Sequence, residues 1–439
     1  MSESADTSSA KPKSSRADAL TVLKRLRDNG QVAYFAGGCV RDMLLGIEPK
    51  DYDVATDAPP EKVRRLFSNT QAVGAAFGVI LVRLGGSQIE VATFRADLNY
   101  TDGRHPEGVR FTTAEEDAKR RDFTINGLFF DPIENKVIDY VGGQEDLKDR
   151  ILRAIGEPNH RFEEDHLRML RAVRFAARFD LKIDPGTRDA IVQHAAQLAR
   201  ISPERIAEEL RLMLTPQTRI SAWRMLHELD LDRVVFRFLK LNWEPPYPEV
   251  IANRPPVLID RVATGERIEF GFALAIVVLE YLLQRLPHLG DWERALNEVT
   301  IRSVSQSIRQ ALKISNDESD MLEQTLYGLE RLLRGWGNSI ATAKRFLARP
   351  TARYSREIFD ALRVDDETSH AAVEGQLNEL QQTEYAPVPL VSGDDLVAAG
   401  LKPGRLFKRV LDDVYDAQLE DRVSTKDEAM RLAMEIAKS

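Results

Sequence analysis

Cysteine is almost absent from this 439-residue chain, with Cys39 standing alone. A single thiol excludes a disulfide framework and any cysteine-rich zinc site, and it fits a reducing compartment, the cytoplasm. Long apolar runs are missing too. None approaches the ~20 residues that a membrane-spanning helix needs, so no membrane partner is expected. Residues 1–19 are rich in Ser, Ala and Lys and lack an apolar stretch. They are expected to form a disordered tail and not a secretory signal. The seven histidines are scattered, and His166 is expected to pack or face solvent, not to ligate a metal. No internal repeat is evident.

Acidic residues outnumber basic ones, for a net charge of −8. That balance argues weakly against nucleic-acid binding over the whole surface but permits a local basic face. One segment lacks acid altogether: residues 331–356 carry seven Lys or Arg, together with Trp336, Phe346 and Tyr354. It is open to two readings, a grip on RNA phosphates or a basic helical surface with no partner.

What the chain does contain changes character near Gly143. Before it, short apolar runs broken by Gly, Pro and Asp predict strands at Val32–Ala36, Val79–Leu84, Ile89–Thr93 and Val137–Tyr140. A helix opening on prolines is predicted from Pro59 to Phe67. From Phe162 onward, apolar residues recur at helical spacing, and Pro185, Pro203 and Pro216 punctuate helices of ordinary length. The fold class is thus an α+β N-terminal part, residues 20–150, with a small mixed sheet, followed by an all-α remainder. Glu244–Pro256 reads as a loop, and Thr425-x-x-Glu428 as a capping box for the last helix.

Chemistry concentrates in a few clusters. Asp51 and Asp53 form a D-x-D pair about ten residues after Gly37-Gly38-x-x-Arg41. Carboxylates two apart on an extended strand point the same way, and such like charges favour a cation between them. Oxygen-only ligation suits a hard ion such as Mg²⁺. A glycine turn upstream lets backbone N–H groups approach phosphates. Glu90, in another predicted strand, is a candidate third carboxylate or an ordinary solvent-facing residue. Arg120-Arg121-Asp122-Phe123-Thr124-Ile125-Asn126 offers guanidiniums suited to phosphate, although Arg120 and Arg121 have Glu115, Glu116 and Asp117 as alternative partners.

These motifs, with Arg161-Phe162-x-Glu164-Asp165-x-Leu167-Arg168 and Ile201-Ser202-x-Glu204-Arg205-Ile206 following in order, resemble the bacterial class II tRNA nucleotidyltransferase/poly(A) polymerase family over roughly residues 30–215. The resemblance implies that Asp51 and Asp53 hold Mg²⁺ and that Glu90 completes the catalytic carboxylates. It implies nucleotide binding by Gly37, Gly38, Arg41, Arg121, Asp165, Arg168, Arg171 and Arg174. Asp165 and Arg168 match the family's protein template for the incoming base. Read as i, i+3 neighbours on one helix they share a face, with an acceptor edge and several donors that suit cytosine or adenine. Arg174, rotated furthest from that face, is the least secure on spacing.

Asp97, Tyr100, Asp102, Arg104 and Pro106 match a flexible loop that helps switch between the two bases. Domains following the family would be a catalytic head (20–150), neck (151–215), body (216–330) and tRNA-binding tail (331–439). The implied activity is addition of CCA to tRNA 3′ ends from CTP and ATP, with tRNA held at its 3′ end and elbow. Alternatives are an A-adding enzyme, a poly(A) polymerase or an inactive RNA-binding relative. Residues 73–78 lack the Arg and Lys expected of a poly(A) polymerase. Gly127 stands where Ala is usual, and no His-Asp dipeptide marks an appended phosphohydrolase.

Overall fold

The computed structural model describes residues 14–74, 78–100, 106–237, 258–262, 265, 267–285, 296–335, 339–362 and 367–438. The chain divides into two compact units. The first is Met1–Met213 with Ser221–Arg237, and the second is Leu214–Ile220 with Phe238–Ser439.

The first unit is built on a seven-stranded sheet. Its strands are β1 (Ala33–Ala36), β2 (Val54–Thr56), β3 (Thr70–Gly74), β4 (Val79–Leu84), β5 (Ser87–Thr93), β8 (Phe129–Asp131) and β9 (Lys136–Ile138), in the order β3-β4-β5-β2-β1-β8-β9. Among the described residues of this sheet, only β2 and β5 pair in parallel. A separate antiparallel hairpin joins β6 (Arg95–Tyr100) to β7 (Pro106–Phe111), and β10 (Ile151–Leu152) pairs with β11 (Lys182–Ile183). Strand β5 shows why the sequence takes this form: Ser87, Ile89, Val91 and Thr93 are buried while Glu90 is exposed, the period-two pattern of a half-buried strand. Phe94 and Phe129 meet edge to face at 5.7 Å beneath Ala36 and Ala55.

Helices α1 (Arg16–Asp28), α2 (Gly38–Leu44), α3 (Pro60–Leu66), α4 (Ala114–Lys119) and α5 (Gly143–Lys148) accompany the sheet. Then follow α6 (Pro158–Glu164), α7 (Arg168–Phe179), α8 (Pro185–His194), α9 (Pro203–Met213), α10 (Arg219–Glu228) and α11 (Asp232–Val235). Helix α7 buries Met169, Leu170, Val173 and Ala176 along one stripe. Arginines recur at 168, 171, 174 and 178 beside it. This stripe-and-row pattern fixes how the helix is turned.

The mixed-sheet head with a mostly helical remainder agrees with the sequence reading. Differences arise where local pattern was too short to signal. Helix α1 begins at Arg16, inside the stretch expected to be disordered, because Ser15 accepts the Asp18 N–H as its N-cap. Strands β2 and β8 are three residues each, below the length at which alternation is visible. Asp51 and Asp53 do not lie on a strand; they precede β2. The proposed loop at Glu244–Pro256 lies outside the described residues.

The second unit is helical: α12 (Leu258–Arg261), α13 (Phe270–Arg285), α14 (Glu298–Leu312), α15 (Asn316–Arg334), α16 (Ile340–Leu347), α17 (Ala352–Leu362), α18 (Glu367–Gln381), α19 (Gly393–Ala398), α20 (Arg405–Leu419) and α21 (Lys426–Ile436). Thr425 and Glu428 form the expected capping box at α21, and Ser315 with Glu318 forms another at α15. Among the described residues no helix is long and apolar enough to cross a membrane. Helix α13 is buried from Phe272 to Leu279, and it approaches α15 where Gly271 has no side chain. A Cβ there would stand 2.4 Å from the Glu318 carbonyl oxygen. Gly271→Ala is therefore expected to destabilise this unit by about 1–3 kcal/mol, read as an earlier thermal transition. An unchanged midpoint would mean the helices are not in such close contact.

Candidate active site

Everything at the site starts from how α2 leaves β1. Gly37 turns the chain with φ 68°, and its N–H donates to the Leu128 carbonyl at 2.9 Å. A Cβ at Gly37 would sit 2.7 Å from Arg121 Nη1, so glycine is required both by the backbone angle and by the arginine. One turn on, Arg41 is 4% exposed. It donates to Asp42 Oδ1 through Nε (2.8 Å) and Nη2 (2.5 Å), and to Asn126 Oδ1 through Nη1 (2.6 Å). Its guanidinium lies 4.3 Å from the ring centre of Phe179 and 5.2 Å from that of Phe175.

Asn126 donates onward to Asp122 Oδ1 at 3.0 Å, and Asp122 Oδ2 receives Arg171 Nε (2.9 Å) and Nη2 (2.6 Å). Burial works to raise the Asp122 pKa. Arg171 and the hydrogen bonds from Asn126 and the Phe123 N–H outweigh it and hold the carboxyl at about 2. Arg174 donates to Glu209 Oε2 at 2.7 Å, where burial pushes Glu209 upward against its arginine partners. Arg120 and Arg121 both bind the buried Asp117, at 2.8 and 3.0 Å. The alternative partner read from sequence is thus realised, and Arg121 still donates to the Asn126 carbonyl at 3.1 Å.

Asp165 and Arg168 come together by a different route from the one expected. Asp165 ends α6 with extended backbone and Arg168 opens α7, so the two do not share one helix. The bend is held by Asp165 itself: Oδ1 accepts the Leu167 N–H at 3.0 Å and Oδ2 accepts Arg205 Nη2 at 2.8 Å. Arg168 donates to the Arg161 carbonyl at 2.9 Å and pairs with Glu164. His166, between them, is buried.

These groups line one cleft of about 550 Å³. Seven arginines (41, 120, 121, 168, 171, 174 and 178) face two aspartates, Asp122 and Asp165. Gly37, Gly38, Asp165, Arg168, Arg171 and Arg174 all border it, Arg174 included. Sequence reasoning did not select Phe175, Arg178 or Glu209, and it named Asp122 and Asn126 only as members of the Arg120–Asn126 cluster. For the first two the signal was present in the arginine row and the aromatic between its members.

The carboxylates are less gathered. Asp51 is exposed and Asp53 half-buried, so water screens their repulsion and the argument from like charge loses force. Asp53 stands against the first turn of α2. Burial first, then the Asp53 charge, push the Cys39 thiol up to about 12. The β2–β5 register pairs Val54 with Val91; one step back, Asp53 falls beside Glu90, which is exposed. Among the described residues no three His, Cys, Asp or Glu side chains form a ready metal-ligand group. Glu90 is therefore not drawn into a set of three with Asp51 and Asp53.

Other expectations fall outside the cleft. Asp97 lies on β6, paired with Arg95 at 3.1 Å, and Tyr100 ends that strand; Asp102 and Arg104 lie outside the described residues, as do 75–77 of the segment 73–78. At Gly127 a Cβ would stand 2.7 Å from Val141 Cγ2, so the packing here favours the smaller residue. In the basic segment, Arg345 pairs with Asp416 (2.5 Å), Arg356 with Glu374 (2.5 Å), and Lys344 donates to the Leu419 carbonyl (2.8 Å). Phe346 and Tyr354 are buried, so neither ring is available to stack on a base, and Trp336 lies outside the described residues.

Residues 33–153 match the poly(A) polymerase head domain, and residues 180–241 match a segment described as a probable RNA and SrmB-binding site of polymerase A. Poly(A) polymerase I of Salmonella typhi is 38% identical over 282 residues, 61% of this chain and 61% of that protein. The CCA-adding enzyme of Geobacillus stearothermophilus is 44% identical over 216 residues, 49% of this chain and 53% of that enzyme. The chain thus spans between a half and two thirds of these curated relatives. A solved structure of the Bacillus stearothermophilus CCA-adding enzyme in complex with CTP superposes with a TM-score of 0.70 at 28% identity, covering 95% of this chain and 97% of that one.

The depressed Asp122 pKa has a measurable consequence. The carboxylate contributes stability that is full above its ordinary value of 3.8 and lost as pH falls through about 2. The shift corresponds to roughly 2–3 kcal/mol. Asp122→Asn is expected to lower urea stability by about that much at pH 7, with the gap to wild type closing between pH 4 and 2. A gap independent of pH would contradict the assignment.

Proposed function

From a chain that belongs to the family uniting CCA-adding enzymes and poly(A) polymerases, we propose template-independent nucleotidyl transfer that adds CCA to tRNA 3′ ends in the cytoplasm. CTP and ATP are the substrates and pyrophosphate the product. The observation that carries this reading is the cleft in which seven arginines and a fixed Asp165–Arg168 pair face the same space. A nucleoside triphosphate has both parts such a cleft would recognise: a polyanion for the arginines and a base edge for the pair.

The division of labour follows from which donors are already used. Each oxygen of Asp165 spends one lone pair, on Leu167 N–H and on Arg205, and keeps another. That remaining acceptor suits the exocyclic amine of cytosine or adenine, and Arg168 supplies donors for the ring nitrogen beside it. Guanine and uracil present a carbonyl where the amine would be, so oxygen would face oxygen. Arg121, Arg171 and Arg174, at the Gly37–Gly38 turn and along α7, would hold the triphosphate. Holding the α-phosphorus still while the tRNA 3′-hydroxyl attacks it in line lowers the entropic barrier. Head, neck, body and tail roles follow the order of the motifs. Contact between the tail and the tRNA elbow rests on that order, since most of the basic segment is engaged internally.

Relatives of this kind generally use a divalent metal, and the donor set here suits Mg²⁺. That ion takes one or two carboxylates, keeps water, and completes its shell with substrate phosphates, so Asp51 and Asp53 suffice without a third ligand. Bound there, it would lower the pKa of the attacking hydroxyl and offset charge on the phosphoryl oxygens.

Polyadenylation is the second reading, favoured by the longer alignment to poly(A) polymerase I, 282 residues against 216. Purified protein with Mg²⁺, CTP and ATP is offered tRNA transcripts lacking the whole CCA end, its last two nucleotides or its last one. Completion of all of them is expected. Extension of the CC-ended transcript alone would point to A-addition, and long adenosine tails on unrelated RNA to a poly(A) polymerase. Asp51→Ala is expected to abolish incorporation while tRNA binding remains. Asp165→Ala is expected to erode discrimination against GTP and UTP by roughly 10- to 100-fold. Retained selectivity would remove Asp165 from the base-reading role.

A further inference from the structure

The segment just before α1 is sewn to the approach of β2, where Asp51 and Asp53 stand, and to the start of β5, which carries Glu90. Ser14 is 4% exposed. Its hydroxyl oxygen accepts the Tyr52 N–H at 2.5 Å, and the same hydroxyl lies 3.4 Å from the Tyr52 carbonyl, to which it donates. Tyr52 is the residue between Asp51 and Asp53, and its ring is buried against Phe35 at 5.4 Å. One residue along, the Ser15 N–H donates to Ser87 Oγ at 3.1 Å, and Ser87 Oγ donates to Asp18 Oδ2 at 2.6 Å. Ser15 Oγ in turn accepts the Asp18 N–H at 3.1 Å, capping α1. Ser87 opens β5, the strand of Glu90.

Two consecutive serines therefore bind two parallel neighbours, Ser14 to the approach of β2 and Ser15 to the start of β5. Asp51 lies before the first ladder pair of β2, where the sheet alone does not fix the backbone. The N–H lies in the Asp51–Tyr52 peptide and the C=O in the Tyr52–Asp53 peptide, so Ser14 holds both peptide planes that flank Tyr52 and limits their rotation. The side chains on either side of Tyr52 inherit that restriction. Gly85 belongs to the same arrangement, because a Cβ there would stand 2.5 Å from Asp18 Oδ1.

We propose that Ser14 is a positioning residue for the divalent-ion site, fixing the two peptides that flank Tyr52 so that Asp51 and Asp53 are presented together. The proposal rests on the reading of those aspartates as metal ligands, and its test keeps the two apart. Mn²⁺ binding to the full chain is followed by electron paramagnetic resonance of the free ion, without nucleotide, for wild type, Ser14→Ala, Ser14→Thr and Asp51→Ala. Ser14→Ala is expected to weaken Mn²⁺ about 3- to 10-fold. This is less than the 10- to 100-fold typical of a direct partner of a metal ligand, because a peptide unit intervenes. Recovery in Ser14→Thr, which keeps the hydroxyl, would support the assignment. Circular dichroism and the thermal midpoint of each variant show whether the fold is kept. Wild-type Mn²⁺ affinity in Ser14→Ala, with loss in Asp51→Ala, overturns the proposal and leaves the metal reading standing. So does a lowered midpoint in Ser14→Ala with unchanged affinity. Wild-type affinity in Asp51→Ala overturns the metal reading itself.

Discussion

The buried carboxylate of Asp122 is the contact on which the cleft depends. It receives Arg171 from α7, Asn126 from the turn after α4, and through Asn126 it reaches Arg41 on α2. Three elements distant in sequence are thus aligned by one charged group, and each wall of the cleft is indexed to it. Burial alone would tend to neutralise such a group; the guanidinium of Arg171 and two further hydrogen-bond donors, Asn126 and the Phe123 N–H, keep it ionised, and an ionised Asp122 in turn keeps Arg171 in place.

The wider problem the fold solves is like-charge repulsion. Seven arginines in one cleft repel each other unless anions stand behind them. Each has one: Asp42 for Arg41 and Arg178, Asp117 for Arg120 and Arg121, Glu164 for Arg168, Asp122 for Arg171, and Glu209 for Arg174. Phe175 and Phe179 add a stacked aromatic surface, with Arg41, Arg171 and Arg174 over Phe175 and Arg178 over Phe179. This explains how an acidic chain, −8 overall, holds a basic cleft: the acids lie behind the arginines as structural counter-ions. Guanidinium, planar and always charged, can serve a buried acid on one edge and a ligand phosphate on another.

Much of this was legible in the sequence, and the failures have identifiable causes. The Gly37–Gly38 turn, the Arg120–Asn126 cluster and the arginine row of α7 were readable because their chemistry is dense and their spacing short. Asp165 and Arg168 do border one cleft, but by a different geometry from the one the spacing suggested. The three-residue step suggested one helix, whereas Arg205, forty residues away, secures a bend that no local pattern reveals. Glu209 was invisible for the same reason, being a partner supplied by another helix. The disordered tail was overextended because Ser14 and Ser15 look like low-complexity residues until Tyr52 and Ser87 are placed beside them. For the basic segment 331–356 the sequence left two readings open, because its acidic partners, Glu374, Asp412 and Asp416, lie outside the window in which charge was counted.

The central claim is that one cleft reads the base with Asp165 and Arg168 while its arginines hold the triphosphate. A crystal structure of the full chain with CTP tests it most directly. The account requires the cytosine amine within hydrogen-bond distance of Asp165, Arg168 on the neighbouring acceptor, and the phosphates among Arg121, Arg171 and Arg174. A cytosine stacked elsewhere, with Asp165 still bound only to Leu167 and Arg205, would contradict it.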